Sequence, residues 1–139
     1  MKESEMKEQN QKRKDILSLA DIKQLVDTFY TRVRQDELLG PVFEEKIGSN
    51  WEKHLETMYR FWQTVLLDER TYQGSPGAKH ITLPVGEEHF ERWLGIFDKT
   101  VDELFTGEKA AEAKWRAARM AEMFAQKINY FKNNRGAIL

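Results

Sequence analysis

Apolar side chains recur along most of this chain at the three- and four-residue intervals of an amphipathic helix. The first stripe of this kind comprises Ile22, Leu25, Val26, Phe29, Tyr30 and Val33. Ser18 stands where its hydroxyl can cap this helix at its start. Gly40 and Pro41 in the stretch LLGP are expected to end the helix, with Phe43 in the short connection that follows.

A second helix is predicted from the stretch SNWE to about Asp68. Ser49 and Glu52 have the spacing of a capping box at its start. At about 100° per residue, one face of this helix gathers six side chains, which are Trp51, His54, Met58, Phe61, Trp62 and Val65. A histidine therefore lies inside an otherwise apolar stripe.

Two further helices are predicted in the second half of the chain. The third carries an apolar stripe made of Phe90, Trp93, Leu94, Phe97, Val101 and Leu104. The fourth runs from about Glu108 to Lys132 and is rich in alanine; its larger apolar residues are Trp115, Met120, Phe124, Ile128 and Phe131. No segment alternates with the two-residue period of a strand. The pattern predicts an all-α fold.

Composition narrows the class of protein. The chain has 139 residues, of which 40% are hydrophobic, which suits one domain with one core. Residues 1–14 are nearly all charged or polar and are expected to form a disordered tail before a domain at 15–139. A net charge of −1 argues against nucleic-acid binding, and no apolar run is long enough to span a membrane. The opening lacks a secretory signal, so the expected location is cytoplasmic.

Histidine is the residue left to carry metal chemistry. The chain has no cysteine, which excludes disulfides and thiolate-bound metals. Its three histidines lack the spacing of a multi-histidine metal site. His80 lies in the loop GSPGAKHITLP, and His54 lies on an apolar helix. This pair fits a flat cofactor held between them, although the 12% aromatic content also fits a well-filled core without a ligand.

Four stretches resemble the truncated haemoglobins, and most of all their group III. In order they are FYTRVRQDELLGPVF, WEKHLETMYRFW, AKHITLP and HFERWLGIF. The resemblance extends from about Ala20 to Phe131. It implies a shortened globin fold in which two antiparallel helix pairs (2-over-2) surround a haem. It also implies a loop in place of most of the proximal helix, which accounts for a histidine in that position.

The resemblance implies roles for four polar side chains. His80 resembles the proximal histidine, whose imidazole nitrogen binds the haem iron. Tyr30 and Trp93 resemble distal residues that donate hydrogen bonds, from a hydroxyl and an indole N–H, to bound dioxygen. His54 matches the distal histidine, as a gate or as a ligand contact, and both roles stay open.

The remaining cofactor contacts are also implied by the resemblance. Phe43, Phe61 and Trp62 resemble the aromatic residues of the family's pocket, and Met58 should lie over its distal side. Lys79 is placed to pair with a haem propionate. Without cysteine, the haem would be held non-covalently, as haem b. His89 falls outside the matched ligand positions and is expected to be exposed at a helix start.

The implied function is the binding of dioxygen, nitric oxide or similar small ligands. Two or three distal donors would hold oxygen tightly, which favours redox detoxification, by nitric oxide dioxygenation or peroxidase-like turnover, over release. No nicotinamide or flavin motif is present, so an external reductase would be needed. A ligand carrier or sensor without turnover is the alternative, and a helical interaction module without cofactor is a third. The oligomeric state stays open.

Overall fold

The described residues form five helices. The computed structural model describes residues 13–72 and 85–138, with side chains described as far as residue 130. The helices are α1 (Leu19–Gln35), α2 (Leu39–Ile47), α3 (Trp51–Leu67), α4 (Glu87–Leu104) and α5 (Glu108–Ile138). Within these ranges the extended structure is a single bridge between Lys14 and Phe105. The predicted all-α fold is confirmed.

Helix α1 lies at the centre of the packing. It contacts α2, α3 and α4, and α4 in turn packs along α5. The apolar stripe of α1 is buried, as its periodicity predicts, with Ile22, Leu25 and Val33 fully enclosed. The predicted cap is confirmed as well, because the Ser18 hydroxyl accepts the N–H of Asp21 while the Asp21 carboxylate accepts the N–H of Ser18.

The end of α1 differs from the prediction. Gly40 and Pro41 do not terminate it, because α1 already ends at Gln35 and these two residues lie in the first turn of α2. Proline is tolerated there because N–H groups of a first turn have no partner within the helix. The carboxylate of Asp36 accepts the N–H groups of residues 38 and 39 and so begins α2. Phe43 consequently lies on a helix and not in a connection.

The start of α3 also differs. Its N-cap is Asn50, which makes no side-chain capping hydrogen bond, so the capping box predicted for Ser49 and Glu52 does not form. Gly48 adopts φ 57°, which is a conformation that favours glycine, in the turn before α3. The predicted end of this helix is confirmed, since α3 stops at Leu67 and Asp68 follows in the left-handed conformation.

Alanine forms much of the buried face of α5. Ala110, Ala113, Ala117 and Ala121 are buried at helical spacing, and Phe124 and Ile128 continue the same face. Trp115 lies on the other side of the helix and is 59% exposed. The helix therefore begins as a small-residue surface and becomes bulky towards its second half.

Residues 14–16 join the beginning of the described chain to the start of α5, and we call them the N-terminal latch. The Asp15 carboxylate accepts the N–H groups of Lys109 (2.9 Å) and Ala110 (2.8 Å) and so caps α5 from a distant part of the sequence. Ile16 is fully buried in the core. A Cβ added at Gly107 would lie 2.5 Å from the Asp15 carboxyl carbon, so this close approach requires glycine.

Candidate functional site

A cavity of about 320 Å³ opens among the five helices. This volume lies in the range of sites that hold a small molecule or cofactor. All five helices and the two segments flanking residues 73–84 contribute to its wall, which consists of Tyr30, Leu39, Val42, Phe43, Lys46, Ile47, Asn50, Lys53, His54, Thr57, Met58, Phe61, Trp62, Tyr72, Val85, His89, Phe90, Trp93, Met120, Ala121 and Phe124.

The cavity brings together most of the residues predicted from the sequence. Seven of them line it, which are Tyr30, Phe43, His54, Met58, Phe61, Trp62 and Trp93. They come from α1, α2, α3 and α4, so the fold gathers positions that are up to 63 residues apart in the sequence. Lys79 and His80 lie outside the described residues, and their predicted roles stay predictions.

Tyr30 and His54 meet at one part of the cavity wall. Their ring centroids are 5.0 Å apart and the rings are nearly perpendicular, at 87°. Tyr30 is 5% exposed, and this burial raises the pKa of its hydroxyl well above the usual value. The hydroxyl therefore remains protonated at neutral pH and can donate a hydrogen bond.

Aromatic rings fix the position of Trp93. Its indole stacks on Phe97, with centroids 5.7 Å apart and an interplanar angle of 9°, and Phe29 meets it edge-on at 5.5 Å. Phe97 stacks on its other side against Trp62 at 5.2 Å. These contacts hold the half-buried indole of Trp93 at the cavity wall by packing alone.

Two donors at the cavity wall have no hydrogen-bond partner in the parts of the chain that the structure describes. They are the hydroxyl of Tyr30 and the indole N–H of Trp93. Both side chains line the cavity, so their donors can pair with a polar atom of a ligand held there. The arrangement fits a small ligand with an electronegative atom.

His89 corrects one prediction. It does stand at the start of a helix, where its Nδ1 accepts the N–H of Gly86 at 3.0 Å, but it is half-buried and lines the cavity. The spacing of His89, Trp93 and Phe97, four residues apart on one helix face, is a signal that could have placed it there.

Other wall residues are not marked in the sequence by any motif. Met120 and Phe124 come from α5, and Tyr72 comes from the segment after α3, where it packs edge-on against Phe61 at 5.3 Å. Lys46 and Lys53 are exposed and stand at the rim. The described wall contains no aspartate or glutamate, so its charged side chains are cationic and would favour a ligand with acidic substituents.

Two other classes of site are absent from residues 13–72 and 85–138. No three His, Asp or Glu side chains there lie together as metal ligands. Among the described helices, none combines the length and apolar character needed to cross a membrane.

The fold is that of a truncated globin. The crystal structure of a group III truncated haemoglobin from Campylobacter jejuni superimposes with a TM-score of 0.77, at 32% identity, over 84% of this chain and 94% of that one. This similarity confirms the shortened globin fold that the sequence motifs imply.

Sequence comparisons identify the family. Residues 15–128 match the bacterial-like globin family. The group 3 truncated haemoglobin ctb of Campylobacter jejuni is 33% identical over 114 residues, covering 79% of this chain and 90% of the relative. The group 2 protein YjbI of Bacillus subtilis is 30% identical over 87 residues, covering 60% and 64%. The chain belongs to the bacterial-like globin family, and its likeness to group III truncated haemoglobins is confirmed.

Membership of this family implies a haem and the binding of small diatomic ligands such as oxygen. The described residues fit such a cofactor. An apolar, aromatic wall suits the faces of a porphyrin, the rim lysines suit its acidic substituents, and the donors of Tyr30 and Trp93 suit a small polar ligand beside it.

Proposed function

We propose that this globin binds haem b non-covalently and uses it to bind dioxygen and related small ligands for redox detoxification. When bound, the haem would supply an iron that can take a protein ligand and a small diatomic ligand. His80 is the proposed protein ligand, and Lys79 beside it is proposed to pair with a propionate. The absence of cysteine leaves no thiol for covalent attachment.

The observation that carries this proposal is the convergence of Tyr30, His54 and Trp93 on one cavity. Tyr30 and Trp93 each offer a donor to the small ligand, and their packing fixes these donors in advance. A fixed donor stabilises negative charge that develops on a ligand without having to reorganise. Apolar neighbours such as Met58 and Phe43 limit the entry of water.

Strong hydrogen bonds to the ligand favour conversion over delivery. A ligand held by two donors leaves slowly, which suits a protein that keeps oxygen for reaction with nitric oxide or that assists cleavage of a peroxide. Electrons would come from an external reductase, and the proposed location of the reaction is the cytoplasm.

The first test is an absorption spectrum of the purified protein in its ferric and ferrous states, beside His80→Ala and His89→Ala. We expect a Soret band in the wild type, a changed or absent band in His80→Ala, and a wild-type band in His89→Ala. His89 is the matched control because it is the histidine nearest to His80 in the sequence and its side chain lines the cavity, but it is not the proposed iron ligand. A protein that takes up no haem would overturn the proposal, and loss of the band in His89→Ala alone would overturn the assignment of His80.

The second test concerns the reaction. The oxygen-loaded protein is mixed with nitric oxide, and nitrate is measured for the wild type and for Tyr30→Phe. We expect one nitrate for each oxygen-loaded site in the wild type and a changed rate in the variant. No nitrate, together with rapid oxygen dissociation, would favour a carrier or sensor without turnover.

A further inference from the structure

Behind the cavity wall, a third aromatic ring contacts both Tyr30 and His54. The indole of Trp51 lies 6.0 Å from the Tyr30 ring and 5.8 Å from the His54 ring, centroid to centroid, with interplanar angles of 64° and 90°. Tyr30 and His54 themselves are 5.0 Å apart. Each ring thus meets the other two edge-on, and Trp51 does so without lining the cavity.

A charged network on the protein surface holds this indole. Its Nε1 donates to Glu44 Oε2 at 3.3 Å, and the other carboxylate oxygen of Glu44 accepts from Arg34 Nε at 2.7 Å. The guanidinium of Arg34 lies over the indole, 4.4 Å from its centroid, as a cation–π contact. The three side chains come from α1, α2 and α3, so they also join the ends of these helices.

Trp51 connects the charged network, which faces solvent, to the rings of Tyr30 and His54, which line the cavity. Trp51 is only 8% exposed, whereas Arg34 and Glu44 have side chains that are 46% and 45% exposed. The hydrogen bond from Arg34, followed by that from Trp51, holds the pKa of Glu44 below its usual value, so the carboxylate is ionised at neutral pH. A surface ion pair therefore fixes a buried ring.

We propose that Arg34, Glu44 and Trp51 form a positioning cluster that holds the His54 imidazole against Tyr30. This inference rests on the proposed function, in which both of those side chains face the small ligand. Trp51 precedes His54 by three residues on α3, so the two rings are neighbours on one helix face. A fixed indole restricts the side-chain rotation of His54, and a mobile indole allows the imidazole to leave Tyr30.

The test changes the cluster from its solvent side, where the cavity is not touched. Glu44→Gln and Arg34→Gln are compared with Arg60→Gln, which breaks an equally exposed ion pair to Glu56 on the same helix as His54. Each protein is loaded with haem and reduced to the ferrous state with dithionite, and the carbon monoxide association rate and C–O stretching bands are measured. We expect about a threefold change in rate and an additional band for the two cluster variants, in keeping with the strength of one exposed cation–π or hydrogen bond. The control should match the wild type.

A double-mutant cycle separates positioning from general loosening of the fold. In a His54→Ala background, Glu44→Gln should leave the association rate and the stretching bands unchanged, because the group through which it acts is gone. An equal change in both backgrounds would overturn the proposal. So would wild-type kinetics and bands in the two cluster variants.

Failure of this inference can be distinguished from failure of the proposed function. Nuclear Overhauser effects between the Trp51 indole and the His54 ring are measured in the protein with and without haem. We expect them in the wild type and expect them to weaken in Glu44→Gln but not in Arg60→Gln. Their persistence in Glu44→Gln would overturn the positioning cluster whether or not the protein takes up haem, whereas failure to take up haem overturns only the proposed function.

Discussion

In the N-terminal latch the Asp15 carboxylate accepts three backbone N–H groups, whereas in the cavity the donors of Tyr30 and Trp93 have no partner among the described residues. Both regions are built on buried side chains, and both contact α1. The difference is that the carboxylate of the latch is already paired with backbone N–H groups and stabilises the fold, while the donors at the cavity wall are available to a ligand. The hydrogen-bonding groups of the latch are thus satisfied within the protein, whereas the donors of the cavity can be satisfied by a ligand.

The largest effect is expected from the apolar residue of the latch. Ile16→Ala should lower the free energy of unfolding by about 2–5 kcal/mol, because a fully buried side chain leaves a cavity in the core. Thermal and denaturant unfolding measure this loss. Leu17→Ala is the matched control, since its side chain is 66% exposed and its removal should change stability by less than about 0.5 kcal/mol. Equal losses in both variants would contradict the role of the latch.

Acid should weaken the latch before it affects the cavity. Burial by itself raises the pKa of Asp15, but hydrogen bonds from three backbone N–H groups and the charge of Lys109 outweigh it, so the pKa is lowered. Burial likewise raises the pKa of Asp21, but hydrogen bonds led by that from Lys14 outweigh this effect, so the pKa of Asp21 is also lowered. A lowered folded-state pKa stabilises the fold above the unfolded value of about 4, and this contribution is lost as the pH falls through the folded value.

The measurement is the melting temperature between pH 7 and pH 3. The wild type should lose several degrees more over this range than the double variant Asp15→Asn, Asp21→Asn, which has no carboxylate to protonate at either position. Parallel curves for the two proteins would show that these carboxylates do not control the acid response.

A smaller effect is expected from the cap alone. Asp15→Ala should lower the free energy of unfolding by about 1–2 kcal/mol, because two N–H groups of the first turn of α5 lose their acceptor. Asp15→Asn keeps one acceptor oxygen and should recover part of this loss at neutral pH. Chemical denaturation of the two variants checks the difference, and an Asn variant less stable than the Ala variant would contradict a capping role.

The smallest effect on stability is expected in the cavity. Tyr30→Phe removes a hydroxyl that has no described partner, so the free energy of unfolding without haem should change by less than about 0.5 kcal/mol. Ligand dissociation from the haem-loaded protein should instead become about tenfold faster, the equivalent of one hydrogen bond. Rapid-mixing measurement of oxygen release checks this. A clear loss of stability with unchanged release would reverse the contrast between the two regions.

Local sequence patterns predict those parts of the fold that local contacts determine. The helix at α1 and its cap were predictable because Ser18 and Asp21 pair within one turn. Ser49 and Glu52 have the same spacing, but the positive φ at Gly48 precedes a helix that begins one residue later than expected, so the spacing alone was insufficient. Pro41 predicts the end of a helix, although the first turn of a helix accepts proline equally well.

Contacts between distant residues were not predictable in the same way. The seven cavity residues were found through family motifs, which carry three-dimensional information that hydrophobic spacing lacks. His89 is half-buried at the cavity wall and not exposed as predicted, although its four-residue spacing from Trp93 and Phe97 on α4 is a local signal for that position. No local pattern indicates that Asp15 caps a helix that begins 93 residues later.

The distance in sequence between Asp15 and its partners has a consequence for the synthesis of the protein. Chains emerge from the ribosome from the N-terminus onward, at about 5–20 residues per second. Helices α1, α2 and α3, which carry much of the cavity wall, have therefore left the ribosome before Lys109 and Ala110 become available to close the latch. We expect the nascent chain to pass through a stage in which its first three helices are present and its N-terminal segment is still unattached, so that this segment attaches late in folding.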